Sequence, residues 1–257
     1  MTWAIDLDGV LWTGEEPIDG SAEAVGELRG RGERVIFLTN NSSQPVRDYV
    51  AKLEEMGVPA EPDDVVTSAQ AAAMLLDEGA TALVCAGVGV EEALRDRGVR
   101  TVREGEADAV VVGWHREFDY ERLTAAASAV AGGARLIGTN DDATYPLPGG
   151  ERLPGGGALL AAVAYASGAE PEVAGKPNQP MADLVAERVG KVDVVVGDRP
   201  TTDGLLAHRL DARFVLVLSG VTDEDQLPGD PVPDEVAADL AAVVTGKGRD
   251  PKGSEDQ

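Results

Sequence analysis

The chain has 257 residues and a formal net charge of −24, from 46 acidic and 22 basic side chains. This negative field repels nucleic acids and anionic membrane surfaces, so we expect neither as a partner. Hydrophobic residues make up 43% of the chain and aromatic residues only 4%, which predicts a core of mainly Ala, Val and Leu. An anionic substrate would need positive charge supplied locally, by a metal ion and a few Lys or Arg side chains.

Cys85 is the only cysteine, so no disulfide can form within the chain. Its place in the apolar run 81–85 indicates a small buried hydrophobic residue. The sequence shows no signal-peptide pattern, no apolar stretch of membrane-spanning length and no lipidation motif. These features favour a cytoplasmic protein.

Apolar strand-like runs alternate with helical patterns along most of the chain, which is typical of a parallel α/β sheet. The charged, glycine-containing end from about residue 246 predicts a frayed tail. The predicted strands cover residues 3–7, 34–39, 81–85, 109–112, 135–137, 192–197 and 213–218. The predicted helices cover residues 21–31, 45–56, 68–78 and 158–167, with two more near residues 91 and 119.

Two carboxylates stand two residues apart where the first predicted strand ends. Asp6 and Asp8 start on the same face, because strand side chains alternate with a period of two. Gly9 then lets the backbone turn close to whatever the carboxylates bind. A divalent cation would relieve the repulsion between the two like charges. One carboxylate could then attack an electrophile while the other transfers protons, although the pair alone also fits a turn with helix-capping acids.

Three further polar segments carry groups suited to a phosphate and its counter-ion. We expect all three to lie where strands end, which is where ligands of open α/β sheets gather. Each alone also fits a helix cap or a surface turn. Together, the acids can hold Mg²⁺ through oxygen ligands, and the hydroxyl, amides and ammonium can bind phosphate oxygens. The segments are Thr39-Asn40-Asn41, Gly175-Lys176-Pro177, and Asp198 with Asp203.

These segments occur in a characteristic order. The patterns D-x-D-G-V from residue 6, T-N-N-S from 39, G-K-P from 175 and G-D-R-x-x-T-D from 197 closely resemble motifs one to four of the haloacid dehalogenase-like (HAD) hydrolase superfamily. The long gap between the second and third motifs resembles the type IIA phosphatases of that superfamily, which insert a cap domain there. The resemblance continues through residues 138–146, 154–159 and 217–222.

The resemblance implies a fold with two domains. A Rossmann-like parallel-sheet HAD core would comprise residues 1–78 and 173–245. An inserted α/β cap domain would comprise residues 79–172, and residues 246–257 would form a flexible tail. Because related caps often mediate dimers, we expect a homodimer.

The resemblance also implies roles for individual residues. Asp6 would attack phosphorus and form an aspartyl-phosphate, and Asp8 would act as general acid and then general base. Mg²⁺ would be held by Asp6, by Asp8 through its backbone carbonyl and by Asp198, with Asp203 supporting the metal shell. The remaining motif residues would hold the phosphoryl group: Thr39, Asn40, Asn41 and Lys176. The ammonium group of Lys176 would also orient Asp6, the nucleophile.

One stretch departs from the family pattern. Many relatives have a Gly-Leu-Asp-Arg-like sequence where this chain has Gly113-Trp114-His115-Arg116. Trp114 and His115, with the adjoining Arg116, are therefore candidates for substrate selection by the cap. The alternative is that Trp114 is a packing residue and His115 a solvated loop residue. His208, the other histidine, is interpreted as structural.

The sequence therefore predicts a magnesium-dependent phosphatase that hydrolyses a small phosphorylated metabolite. One alternative is a signalling module resembling a receiver domain, which also accepts phosphate on an aspartate. Asp8 argues against it, because a long-lived phospho-switch would avoid a proton-transfer group beside the nucleophile. The large predicted cap domain also argues against a receiver domain, which has no such insertion. A second alternative is a phosphate-binding protein that has lost catalysis, although every motif residue is present. The substrate itself is not identified by the sequence.

Overall fold

The computed structural model describes residues 1–146 and 152–251 of the chain. The chain divides into two compact units. The first comprises Met1–Thr39, Val50–Val66 and Val185–Gln257, and the second comprises Asn40–Tyr49 and Thr67–Leu184. Each unit contains a sheet of parallel strands with helices, so the predicted α/β fold class is confirmed. The domain boundaries predicted near residues 78 and 172 stay a prediction.

The first unit is built around a six-stranded sheet. Numbered in chain order, its strands are β1 (Thr2–Asp6), β4 (Arg34–Thr39), β5 (Val65–Thr67), β13 (Val194–Gly197), β14 (Arg213–Val217) and β15 (Glu235–Ala237). The order across the sheet is β15-β14-β13-β1-β4-β5. The strand β1 pairs in parallel with β4 and β13, and β14 pairs in parallel with β13 and β15. A short antiparallel hairpin, β2 (Trp12–Thr13) and β3 (Glu16–Pro17), follows β1.

The register of this sheet brings strand ends together. Asp6 lies opposite Leu38 on β4, and Ile5 lies opposite Val196 on β13. The middle strands are almost entirely apolar and buried, as expected for a parallel sheet covered on both faces. The carboxyl ends of β1, β4 and β13 therefore lie side by side at one end of the sheet.

The second unit contains a five-stranded sheet in which all neighbouring strands are parallel. Its strands are β6 (Thr81–Cys85), β7 (Arg100–Val102), β8 (Ala109–Val112), β9 (Arg135–Gly138) and β12 (Glu172–Val173), in the order β12-β9-β8-β6-β7. The strand β10 (Thr144–Pro146) pairs in antiparallel with β11 (Arg152–Pro154). Cys85 is buried in the core of this unit, as predicted, and burial raises the pKa of its thiol to about 11.

The helices of the two units include all six that the sequence predicts. They are α1 (Ser21–Gly30), α2 (Val46–Glu55), α3 (Ser68–Ala73), α4 (Val88–Asp96), α5 (Tyr120–Ala131), α6 (Gly156–Ser167), α7 (Gln179–Val189), α8 (Leu205–Arg209) and α9 (Leu240–Val244). The helix α3 ends five residues earlier than the predicted 78, where the chain turns at Met74. Within residues 1–146 and 152–251, no helix is long and apolar enough to cross a bilayer.

The frayed end predicted from residue 246 does not begin there. Arg249 and Val236 exchange two main-chain hydrogen bonds, of 2.8 and 2.9 Å. This pairing attaches the segment around Arg249 to the edge strand β15. The rest of the predicted tail, residues 252–257, lies outside the described residues.

Candidate active site

Three buried carboxylates converge in the first unit. Asp6 ends β1, Asp198 follows β13, and Asp203 lies in the helical turn Pro200–Gly204. One oxygen from each lies within 4.8 Å of the others. Three like charges removed from water at this distance are costly without a compensating cation. The donor set is all oxygen and anionic, so it fits a hard divalent cation such as Mg²⁺.

Main-chain groups orient two of these carboxylates. Val221 N–H donates to Asp198 Oδ2 at 2.8 Å, and the Thr222 hydroxyl donates to the main-chain oxygen of Asp198. Arg199 N–H donates to Asp203 Oδ2 at 3.1 Å. The loop 219–222 thus supports the acidic cluster, a contact that the sequence pattern alone did not indicate.

Glycines pack directly against the cluster. A Cβ on Gly220 would overlap the Asp198 carboxylate, and a Cβ on Gly197 would overlap the Asp203 carboxylate. Gly9 has φ +82°, which favours glycine, and a Cβ there would also meet Asp198. The close approach of backbone to carboxylate therefore requires glycine at these positions.

Asp8 lies beside the cluster but makes different contacts. Its Oδ1 accepts a hydrogen bond from Trp12 Nε1 at 3.0 Å, and its Oδ2 accepts from Thr39 Oγ1 at 3.4 Å. The carboxylate of Asp8 is not among the three whose oxygens converge in the described residues. A metal role for Asp8 therefore rests on its backbone carbonyl, as the resemblance implies, and the side chain is left for other chemistry.

The other predicted phosphate-binding residues lie in the second unit. The Asn40 side chain bonds to both main-chain polar groups of Lys176. Its Oδ1 accepts from Lys176 N at 2.7 Å, and its Nδ2 donates to Lys176 O at 3.1 Å. Lys176 is 2% exposed. Asn41 Oδ1 accepts from the backbone N–H and the hydroxyl of Ser43. The Asn40 side chain thus fixes the backbone of the buried lysine, and the Asn41 side chain stabilises its own loop.

The residues predicted to select substrate have different environments. The Trp114 ring stacks on Tyr145 with a centroid distance of 5.0 Å, and its Nε1 donates to Pro154 O at 3.0 Å. Arg116 is exposed, with its guanidinium 6.0 Å from the Trp114 ring centre. His115 is only 6% exposed, so the alternative of a solvated loop residue is wrong. A role in substrate selection stays a prediction for all three.

His115 is a buried imidazole, and we expect it to make stability depend on pH. Burial, chiefly, lowers its pKa, and its Nδ1 donates to Gly113 O at 2.9 Å. Below about pH 6.5 the imidazole of His115 binds a proton more readily in the unfolded chain than in the folded chain. The free energy of unfolding therefore decreases as the pH is lowered, until the pKa of His115 in the folded chain is reached. His115→Gln should flatten the decline of Tm between pH 7.5 and 5.

The matched control is His208→Gln, because His208 is the only other histidine and is exposed on α8. Its Tm profile shows the effect of replacing an imidazole that is exposed to solvent. Equal slopes for the wild type and His115→Gln would contradict the expected contribution of His115.

Comparison with known proteins agrees with the fold. A family model described as haloacid dehalogenase-like hydrolase matches residues 3–100, and a HAD-hydrolase-like model matches residues 173–243. An acid sugar phosphatase from Staphylococcus saprophyticus is 35% identical over 237 residues, covering 90% of this chain and 91% of the relative.

Solved structures give the same result. A p-nitrophenyl phosphatase from Archaeoglobus fulgidus superposes with a TM-score of 0.87 at 31% identity, covering 95% of this chain and 98% of that chain. A glycerol phosphate phosphatase from Mycobacterium tuberculosis, solved with magnesium, has a TM-score of 0.87 at 34% identity, covering 94% of this chain and 75% of that chain.

The chain therefore belongs to the haloacid dehalogenase-like hydrolase superfamily. Within the superfamily it is a capped phosphatase of type IIA, a phosphomonoester hydrolase. The family resemblance and the enzyme class predicted from the sequence are confirmed.

Proposed function

We propose that this chain is a Mg²⁺-dependent phosphatase that hydrolyses a small phosphomonoester through an aspartyl-phosphate on Asp6. The observation that carries the proposal is the convergence of buried Asp6, Asp198 and Asp203 beside a separately held Asp8. Such an arrangement provides an anionic metal site and a second carboxylate for proton transfer in one place. Relatives described as sugar, glycerol and nitrophenyl phosphatases support the chemical class of the substrate.

The reaction has two steps. In the first, an oxygen of Asp6 attacks phosphorus, the bond to the leaving oxygen breaks, and Asp8 donates a proton to that oxygen. In the second, Asp8 takes a proton from water as the water oxygen attacks phosphorus, and Asp6 is released as a carboxylate. The same side chain thus acts first as an acid and then as a base.

The metal would be held by Asp6, the backbone carbonyl of Asp8, and Asp198, with Asp203 behind them. When bound, Mg²⁺ neutralises charge on the phosphoryl oxygens and on the attacking carboxylate. The Val221 N–H bond to Asp198 and the Arg199 N–H bond to Asp203 hold both carboxylates in place for the metal.

Thr39 and Lys176 are the proposed side-chain ligands of the phosphoryl group. The Asn40 side chain contributes by fixing the Lys176 backbone, so its contact with phosphate would come from the main-chain N–H. Asn41 would contribute through the same loop. Trp114, His115 and Arg116 are proposed to discriminate among the alcohol portions of substrates.

The test is phosphate release from a panel of phosphomonoesters, with Mg²⁺ and with excess EDTA. The panel contains nitrophenyl phosphate, glycerol phosphate, phosphoglycolate, sugar phosphates and nucleotides. We expect release that EDTA abolishes and added Mg²⁺ restores, because the three carboxylates need a cation to bind an anion. Release that EDTA leaves unchanged would contradict the metal requirement, and no release from any ester would contradict the function.

A homodimer and a cytoplasmic location also remain part of the proposal. The dimer can be tested by sedimentation velocity across a range of concentration, where a single species of about twice the chain mass of 26.7 kDa is expected. A monomer at every concentration would contradict it.

A further inference from the structure

We propose that Trp12, polarised by Lys52, is a positioning residue that aims the Asp8 carboxylate for proton transfer. The inference rests on the proposed function, in which Asp8 protonates the leaving oxygen. It concerns a tryptophan that no metal or phosphate role involves. The contact that suggests it is the 3.0 Å hydrogen bond from Trp12 Nε1 to Asp8 Oδ1.

The backbone fixes Trp12 relative to Asp8. Trp12 N–H donates to Leu7 O at 3.3 Å, and Gly9 N–H donates to Trp12 O at 2.7 Å, so the turn closes tightly around Asp8. The Trp12 side chain is 1% exposed. A rigid, buried indole has little freedom to move, so its N–H is a directional restraint on the carboxylate.

Lys52 strengthens this restraint. Its ammonium lies 4.3 Å from the Trp12 ring centre and donates to Gly14 O at 2.6 Å. A cation over the face of an indole is attracted to the ring and draws electron density towards itself, which makes the N–H a better donor. The hydrogen bond to Gly14 keeps the ammonium in that position through the β2–β3 hairpin.

Two contacts therefore set the direction of the Asp8 carboxylate. Trp12 binds Oδ1, and Thr39 Oγ1 lies 3.4 Å from Oδ2. Because Oδ1 is held by the shorter of these two bonds, Oδ2 is the oxygen better placed to exchange a proton with a leaving group or water. A carboxylate that rotates away from this direction would lose catalysis where protonation matters most, because proton transfer needs hydrogen-bond geometry.

The experiment compares two esters that differ in their need for a proton. Nitrophenolate leaves readily without protonation, whereas the alkoxide of glycerol phosphate requires it. Trp12→Phe should lower kcat/KM on glycerol phosphate about 10- to 100-fold and leave kcat/KM on nitrophenyl phosphate within about threefold. The parameter kcat/KM reports the steps up to release of the alcohol, so it excludes the later hydrolysis of the aspartyl-phosphate, in which Asp8 acts as base for both esters. A loss of folding alone would lower both activities by the same factor.

The chain offers a matched control. Trp3 is also buried in the first unit, at 7% exposure, and its indole N–H makes no hydrogen bond within the structure. Trp3→Phe removes the same atoms without removing a bond to Asp8, so the ratio of the two activities should stay at the wild-type value. Lys52→Met should shift the ratio about two- to fivefold in the same direction, and Lys52→Arg should restore it.

The outcomes separate this inference from the proposed function. If the wild type releases phosphate from both esters and Trp12→Phe lowers kcat/KM on both equally, or no more selectively than Trp3→Phe, the positioning role is overturned while the phosphatase stands. If the wild type releases phosphate from neither ester, the proposed function fails and the positioning role falls with it. Selective loss on glycerol phosphate supports the inference.

Discussion

Asp6→Asn should lower kcat/KM by at least about 10⁴-fold, because an amide cannot attack phosphorus as a carboxylate does. The substitution keeps the size of the side chain and an oxygen that can accept the local hydrogen bond from Leu7 N–H, now at 2.9 Å. It also removes one of three converging negative charges, so the metal-free variant should be at least as stable as the wild type. Phosphate release and Tm without metal are the two measurements.

Phosphate release and Tm together test the role of Asp6 as the nucleophile. An inactive variant with an unchanged or higher Tm supports Asp6 as the nucleophile. A variant that turns over like the wild type would contradict it. A control at Trp3, where Phe replaces Trp in the same strand, shows how much activity is lost by disturbing β1 alone.

Asp198→Asn should weaken Mg²⁺ binding about 100-fold or more, since it removes a full charge from the acidic cluster. An Asn side chain can still accept the bond from Val221 N–H, so the loop 219–222 should keep its position. Activity should then return in part at high Mg²⁺ concentration. Titration of the metal by calorimetry and by activity measures both effects.

Asp19→Asn is the matched control, because Asp19 is an exposed carboxylate of the same unit. It changes the net charge by the same amount but should leave Mg²⁺ affinity within about twofold, since exposed charges are screened by salt. Equal weakening in both variants would mean that long-range charge, and not coordination, governs the metal affinity.

Long apolar strands were predictable from the sequence, and short ones were not. Strands such as Arg34–Thr39 and Thr81–Cys85 were predicted with their observed bounds, because each contains a run of five residues that are buried and mainly apolar. The two- and three-residue strands carry no periodic pattern of that kind; they are β2, β3, β5, β7, β10, β11, β12 and β15. They form because neighbouring chain segments come alongside them in the folded protein.

The site was predictable in its acids but not in its supports. Asp6, Asp198 and Asp203 could be singled out because they follow strands and match family motifs. The contacts of Val221 with Asp198 and of Trp12 with Asp8 depend on loop geometry, which the order of residues does not reveal. Asn40 illustrates the same limit, since its side chain proved to hold the Lys176 backbone.

The acidic cluster joins parts of the chain that are far apart in sequence. Asp6 and Asp198 are 192 residues apart, and they meet because β1 pairs with β13. Contacts between such distant segments form slowly during folding, because closing a long loop costs entropy before the contact repays it. Metal affinity should therefore appear only when this pairing is complete, so Mg²⁺ binding would report when β1 and β13 have paired during folding.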